Sequence, residues 1–96
     1  VIEGSAINND GHNKIGFTAP SAIRQAAVIK SALKKSKLGS NDISYIETHG
    51  TGTKLGDPIE FNGLIQAFGD TVRPQSCALG SVKANIGHLD VAAGMA

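Results

Sequence analysis

Residues 43–60 read ISYIETHGTGTKLGDPIE, and their pattern indicates the fold class. The first five residues, 43–47, are rich in β-branched and aromatic side chains, which predicts a short strand. A loop with two glycines follows directly. Asp57 can then cap a helix, Pro58 suits the first helical position, and Glu60 stands three residues after the cap, so a helix should begin here. A strand that leads through a loop into a helix is typical of an α/β fold.

The rest of the chain extends this alternation in both directions. Ala22, Ala26, Ile29 and Leu33 recur at helical spacing ahead of the quoted stretch. Three strands alternating with three helices predict an α/β fold. The predicted elements, in chain order, are a strand over 1–7, a helix that starts at 18–21 and closes at Gly39, a strand over 43–47, a helix from Asp57 to near Gly69, a strand over 76–82, and a small-residue helix entered through 85–88.

Composition excludes several classes of protein. Of the 96 residues, 41% are hydrophobic and 18% are charged, which fits a globular segment and argues against disorder. A net charge of +1 does not indicate the basic surface that binds nucleic acid. The lysines at 30, 34, 35 and 37 fall in one predicted helix, where a solvated face explains them more simply than a binding patch.

Cysteine use and hydropathy indicate the compartment. The single cysteine, Cys77, cannot form an internal disulfide, so nothing implies secretion. No apolar run approaches the roughly 18 residues that a membrane span requires, and no signal peptide opens the chain. A cytoplasmic setting without membrane contact is therefore expected.

The ends of the chain suggest an excerpt. It opens on Val1 without a methionine and stops inside the apolar run 92–96. We therefore expect a domain truncated at both ends, with some apolar faces lacking their partners.

Two histidines occupy matching positions. His49 follows the strand over 43–47, and His88 follows the strand over 76–82 just ahead of a helix. Active-site groups of open α/β sheets gather at the carboxyl ends of strands. The separation between the histidines fits a strand–helix–strand crossover. If the two strands are neighbours, both imidazoles lie at the same edge of the sheet.

Several chemistries are open to such a pair: metal binding, proton exchange, or hydrogen bonds to an oxyanion. Zinc would need further ligands, and the chain has no HExxH motif or cysteine pair, which leaves Asp90 as a weak third ligand. A serine hydrolase would need a GxSxG elbow, which is absent. The oxyanion interpretation requires only two neutral imidazoles aimed at one point. Ordinary hydrogen-bonded loop histidines remain the alternative.

The glycine-rich loop is a weak signal for nucleotide binding. Gly50, Gly52 and Gly56 form GxGxxxG, one residue away from the dinucleotide fingerprint, and no GxxxxGK[ST] loop exists. Thr51 and Thr53 could hydrogen-bond an extended, amide-bearing ligand. Alternatively, they only shape the turn.

Three further side chains have groups that an active site could use, but only Lys83 is a candidate. Lys83 lies at the exit of the third predicted strand, and a nearby ammonium would disfavour protonation of an imidazole; an exposed lysine at a strand end is the alternative. Cys77 is predicted to be a small buried hydrophobe inside that strand, with no neighbouring base to activate its thiol. His12, in a polar loop, is predicted to be solvated.

The motifs together resemble a known family. Residues 48–53, THGTGT, followed by 55–60, LGDPIE, resemble one signature of the β-ketoacyl synthases in type I polyketide synthases, and 80–88, GSVKANIGH, resemble the second. Residues 4–11, GSAINNDG, and 16–21, GFTAPS, resemble the stretch between the halves of these enzymes. The chain is thus similar to a partial ketosynthase domain of a modular polyketide synthase or hybrid peptide–polyketide synthase.

The resemblance implies a fold and a reaction. The fold would be a fragment of the thiolase-like fold, normally dimeric, with residues 1–20 ending the first half and its connecting loop and 21–96 forming part of the second half. The implied reaction is a decarboxylative Claisen condensation of a malonyl-type thioester with a cysteine-bound acyl chain. The acyl carrier protein would supply phosphopantetheine, and the domain itself would bind no cofactor and no metal.

The resemblance also implies roles for five residues. His49 and His88 would donate hydrogen bonds to the enolate oxygen, and Lys83 would support the site as the third catalytic residue. Thr51 and Thr53 would contact the pantetheine arm. The nucleophilic cysteine belongs to a motif that is absent here, so the isolated fragment should be inactive. A non-elongating ketosynthase-like module that binds acyl carrier protein, or a condensing domain of a fatty acid synthase, would share these motifs.

Overall fold

The computed structural model describes residues 1–9, 21–69 and 72–95. Three α-helices and two strands alternate along these residues, with short 3₁₀ turns at Ser40–Asp42 and Asp90–Met95. The elements are helix α1 (Ala22–Ser36), strand β1 (Tyr45–Glu47), helix α2 (Gly56–Phe68), strand β2 (Ala78–Gly80) and helix α3 (Lys83–Ile86).

Helix α1 begins as predicted but ends earlier. The hydroxyl of Ser21 accepts a hydrogen bond from the Arg24 backbone N–H (3.4 Å) and caps the first turn. The helix closes at Lys37, whose φ is 60°, and the predicted end at Gly39 is wrong. Lys37 and Leu38 donate their backbone N–H groups back to the last turn in a Schellman motif, which satisfies those carbonyls before Gly39 is reached. The solvated face predicted for the lysines is supported, since Lys30, Lys34, Lys35 and Lys37 are all exposed.

Strands β1 and β2 are parallel neighbours, joined through α2. Glu47 of β1 is the partner of Gly80 of β2, at the carboxyl end of both strands. The pairing confirms the α/β topology, although both strands are shorter than predicted. Gln75 takes a left-handed conformation (φ 57°) in the turn that precedes β2, and the chain enters α3 soon after Gly80, which limits the ladder at both ends.

The strand predicted over residues 1–7 is wrong, because residues 1–9 form neither strand nor helix. This segment lies against α1, where the Asn8 side-chain amide donates to the Arg24 carbonyl (2.8 Å). A strand needs a neighbouring strand for its backbone hydrogen bonds, and contact with a helix cannot supply one.

Two predicted helix starts also differ. The N-cap of α2 is Leu55 and not Asp57. The Asp57 carboxylate accepts a hydrogen bond from the backbone N–H of Gly52, which lies in the loop before the helix (3.2 Å). Gly69 ends α2 as expected. The small-residue helix predicted after 85–88 is instead the 3₁₀ turn Asp90–Met95, and the helix α3 (Lys83–Ile86) lies before it with Gly87 (φ 77°) as its C-cap.

The core of the described residues lies where α1 packs on α2. Ala26, Leu64 and Ala67 are each less than a tenth exposed. Gly63 permits this close approach, because a Cβ at that position would lie 2.9 Å from Gln25 Cβ. No helix in the described ranges is long and apolar enough to cross a membrane. Large apolar side chains remain exposed elsewhere, including Ile2, Ile7, Phe61, Ile65, Leu79, Val91 and Met95.

Candidate active site

The two histidines meet at the carboxyl edge of the sheet. His49 follows β1 by two residues, and His88 follows α3, which β2 leads into. The ring centroids are 5.1 Å apart, and the rings are nearly perpendicular, at 89°. The prediction that the imidazoles share one sheet edge is therefore confirmed. Their catalytic role stays a prediction.

The His88 ring has a defined hydrogen-bonding state. Its Nδ1 accepts a hydrogen bond from the Asp90 backbone N–H (3.0 Å). A nitrogen that accepts carries no proton, so the proton of the neutral ring is on Nε2, which becomes the donor. Asp90 takes a left-handed conformation (φ 55°) in this turn, which aspartate tolerates better than most residues. The ring is therefore suited to donate one hydrogen bond through Nε2.

Asp90, considered from the sequence as a weak metal ligand, contacts His88 through its backbone N–H. Within residues 1–9, 21–69 and 72–95, no group of three or more histidine, cysteine or carboxylate side chains could hold a metal ion. The geometry of the described residues therefore gives zinc chemistry no support.

The backbone around His49 is held by Glu60. One carboxylate oxygen accepts from the His49 N–H (2.6 Å) and the other from the Gly50 N–H (2.9 Å). The predicted capping role of Glu60 is wrong, since the carboxylate reaches the glycine loop instead of the helix N-cap. Thr48 joins the same loop to β2, because its backbone N–H (2.7 Å) and its hydroxyl (2.9 Å) both donate to the Gly80 carbonyl.

A second carboxylate, Glu47, ties β1 to the start of α3. Its Oε1 accepts from the Val82 backbone N–H (2.6 Å) and its Oε2 from the Tyr45 hydroxyl (2.6 Å). The Tyr45 hydrogen bond is the largest cause that lowers the pKa of Glu47, followed by the Val82 N–H; the charge of Lys83 adds to the effect. The same bond to Glu47 raises the pKa of Tyr45, since the phenol must stay protonated to donate. Sequence reasoning did not identify Glu47 or the loop-holding role of Glu60.

Lys83 is the first residue of α3 and is partly buried. Its positive charge acts on Glu47, where it helps to lower the pKa of that carboxyl. An effect of Lys83 on the imidazoles stays a prediction.

Thr51 and Thr53 line a cavity of about 260 Å³ beside His49, together with Asp57 and Glu60. The Thr53 hydroxyl accepts a hydrogen bond from the Gly56 N–H (2.9 Å), so Thr53 shapes the turn as well as lining the cavity. Contact of either threonine with a pantetheine arm stays a prediction.

Cys77 precedes β2, so its predicted place inside the strand is wrong. It is partly buried, and its thiol contacts the Ala78 carbonyl at 3.7 Å. The predicted solvation of His12 concerns a residue outside the described ranges.

Comparison with known proteins gives a match over the full sequence. The family model for the C-terminal domain of β-ketoacyl synthases matches residues 1–96. A phenolphthiocerol/phthiocerol polyketide synthase protein of Mycobacterium tuberculosis is 58% identical over 100% of this chain, which covers 7% of that protein. Polyketide synthase PksN of Bacillus subtilis is 53% identical over 100% of this chain and 2% of that protein. The chain thus spans a small fraction of the length of these relatives.

Solved structures show the same similarity. The ketosynthase from module 1 of the bacillaene synthase of Bacillus amyloliquefaciens FZB42 superposes with a TM-score of 0.89 at 49% identity, over 97% of this chain and 18% of that one. Ketosynthase twelve of the bacillaene polyketide synthase of Bacillus amyloliquefaciens gives a TM-score of 0.90 at 53% identity, over 96% of this chain and 17% of that one.

Proposed function

We infer the function of this chain from its family: it belongs to the β-ketoacyl synthases and matches their C-terminal domain. The resemblance to ketosynthases of polyketide synthases is confirmed. The α/β fold is likewise confirmed as a fragment of the thiolase-like fold, mainly its second half. Members of this family are condensing enzymes of the acyltransferase class.

We propose that the chain is part of a complete ketosynthase, the parent ketosynthase. In the proposed division, residues 1–20 end the first half and its connecting loop, and 21–96 form part of the second half. The first half supplies the nucleophilic cysteine. Homodimerisation and a cytoplasmic setting belong to the same proposal, and the polyketide synthase relatives support it.

The proposed reaction is decarboxylative Claisen condensation. The bond between the malonyl carboxylate and the α-carbon breaks, CO₂ leaves, and the electron pair passes to the thioester oxygen as an enolate. The α-carbon then attacks the acyl thioester on the cysteine, a carbon–carbon bond forms, and the cysteine departs as thiolate. Charge develops on the thioester oxygen, so donors aimed at that oxygen stabilise the transition state more than the substrate.

His49 and His88 are proposed as those donors. The observation that carries the proposal is their 5.1 Å ring separation at one sheet edge, with the His88 Nδ1 occupied so that Nε2–H is free to donate. Lys83 is proposed as a supporting cation. No bound metal takes part in this scheme, and neither nucleic acid nor a membrane is a partner.

Phosphopantetheine is proposed to enter as part of the acyl carrier protein, carrying the malonyl-type thioester. The cavity beside His49 is lined by Thr51 and Thr53, whose hydroxyls suit the amide groups of an extended arm. The acyl carrier protein is therefore the proposed partner.

Condensation by the parent ketosynthase tests the proposal directly. The protein is loaded with an acyl thioester and then given malonyl-acyl carrier protein, and the carrier is analysed by intact mass spectrometry. We expect β-ketoacyl carrier together with released CO₂. A protein that loads the acyl group and binds the carrier but releases no CO₂ would instead be a non-elongating module.

Cys77 should not act as an acyl acceptor. The isolated chain is incubated with an acyl N-acetylcysteamine thioester, and acylation is followed by intact mass. We expect a rate no higher than that of free cysteine, because the thiol contacts the Ala78 carbonyl and its chain neighbours Ser76 and Ala78 carry no base. A Cys77→Ala variant identifies any background labelling. Acylation of Cys77 well above the free-cysteine rate would contradict the assignment of the nucleophile to the first half.

A further inference from the structure

Glu47 occupies a position between the two histidine segments. It is the last residue of β1, two residues before His49. Its carboxylate bonds the backbone N–H of Val82, the N-cap residue of α3, and α3 leads through Gly87 to His88. The Glu47 side chain therefore connects the end of the strand that precedes His49 to the start of the helix that precedes His88.

The chemistry of a carboxylate suits this connection. Each oxygen has its own partner, the Val82 N–H at 2.6 Å and the Tyr45 hydroxyl at 2.6 Å, so neither partner competes for the other's acceptor. Both donors lower the pKa of Glu47 by hydrogen bonding to its charged form. Charge-assisted hydrogen bonds of this kind are stronger than neutral ones and more specific in geometry.

The backbone pairing between the two strands stops before α3 begins. The strand ladder ends at the pair Glu47 and Gly80, and Thr48 extends it by bonding the Gly80 carbonyl. Beyond Gly80, the described hydrogen bonds from the end of β1 and its loop to the α3 segment are the Glu47–Val82 bond and two long bonds of the Ser81 hydroxyl, each at 3.5 Å. The Glu47 bond is therefore the shortest described hydrogen bond between the end of β1 and the start of α3.

We propose that Glu47 is a positioning residue that fixes the spacing between the His49 and His88 imidazoles by holding the start of α3 against the end of β1. The proposal rests on the proposed function, because that spacing matters only if both rings serve one oxyanion. Displacing a catalytic group by about 1 Å can cost as much as a hundredfold in rate. Loss of the Glu47 restraint should therefore lower the rate of decarboxylation without removing a group that contacts substrate.

Three variants of the parent ketosynthase separate this role from a general contribution to folding. Glu47→Ala removes both acceptors, and we expect its kcat for malonyl decarboxylation to fall about tenfold, with KM within about twofold of wild type. Glu47→Gln keeps one amide oxygen as acceptor and should lose only about threefold, a partial rescue by the conservative change. Tyr45→Phe leaves the Val82 bond in place and should have a smaller effect than Glu47→Ala. Glu3→Ala, another exposed carboxylate, is the matched control.

The outcomes distinguish the inference from the function on which it rests. Acyl loading and the thermal midpoint are measured for every variant, and a crystal structure of the Glu47→Ala parent should show the histidine rings displaced from their 5.1 Å separation. A wild-type parent that does not decarboxylate malonyl thioester overturns the proposed function and this inference with it. An active parent whose Glu47→Ala variant keeps wild-type kcat overturns the inference alone, as would equal losses in Glu47→Ala and Glu47→Gln that follow a lowered thermal midpoint.

Discussion

The His49→Ala variant of the parent ketosynthase should decarboxylate malonyl thioester about 10²–10³-fold more slowly than wild type, the usual cost of deleting one oxyanion donor. Its upstream cysteine should still accept an acyl group, because cysteine loading develops no charge on the malonyl oxygen. Release of CO₂ from malonyl-acyl carrier protein measures the first step, and intact mass after acyl loading measures the second. His49 lies at the sheet edge with its ring 5.1 Å from that of His88, so either ring alone supplies half of the proposed donor pair.

Two further variants decide which chemistry His49 performs. His49→Gln keeps an N–H donor but cannot exchange protons as imidazole does, so partial recovery of decarboxylation favours the oxyanion role over proton transfer. The double variant His49→Ala, His88→Ala should lose less than the product of the single losses if the rings act as one unit. His12→Ala, a histidine that the sequence places in a polar loop, is the control. Wild-type decarboxylation by His49→Ala would remove His49 from the site.

The sequence predicted the edge where the histidines meet because the relevant signals are local and periodic. A predicted strand before each histidine, the first β-branched and the second apolar, and a helix between them are enough to predict parallel neighbours with both rings at one edge. The structure adds the state of the His88 ring. The position of the His88 ring proton depends on the backbone N–H of Asp90. Nearly every residue type has this backbone group, so the sequence does not indicate the bond.

The hydrogen-bonding roles of Glu47 and Glu60 were not predicted, and the physical reason is the same for both. Their partners are backbone N–H groups distant in sequence: Val82, 35 residues from Glu47, and His49, 11 residues before Glu60. Any residue except proline can donate such a bond, so no side-chain pattern indicates it. Glu60 also matched a local helix-capping pattern. In the structure its carboxylate instead accepts from the His49 and Gly50 N–H groups of the glycine loop. An acidic residue that follows a glycine-rich loop is a signal worth testing for loop binding as well as for helix capping.

The limits of the elements were less predictable than their types. The end of α1 depends on Schellman hydrogen bonds that form at Lys37, although Gly39 is the better residue for a left-handed cap. Residues 1–7 are mixed in composition and predicted as a strand, yet the segment lies against α1. At the end of α1, hydrogen bonds of the last helical turn outweighed the preference of glycine for a left-handed cap. In the first segment, contact with α1 outweighed the strand preference of the residues.

The Glu60→Ala variant of the parent ketosynthase should lose about a hundredfold in malonyl decarboxylation, a cost comparable to misplacing a catalytic group by about 1 Å. Glu60 holds the His49 and Gly50 N–H groups with separate oxygens, so alanine releases both at once. Gly50 has a φ of +47°, and a Cβ there would lie 2.7 Å from Ser81 Cβ, so the loop is confined on its other side. Loss of the carboxylate should therefore let the loop shift away from α2, carrying the His49 ring out of line with His88.

The neighbouring variants make the Glu60 prediction specific to the loop. Glu60→Gln keeps one acceptor and should retain more activity than Glu60→Ala, while Gln66→Ala, an exposed position on the same helix, should retain wild-type activity. Decarboxylation rates, acyl loading and thermal midpoints are compared across the three. If Glu60→Ala acts on His49 alone, combining it with His49→Ala should add little to the loss that His49→Ala causes, because the ring it positions is already gone. A full multiplicative loss in that double variant would show that Glu60 serves the reaction by some route other than the His49 loop.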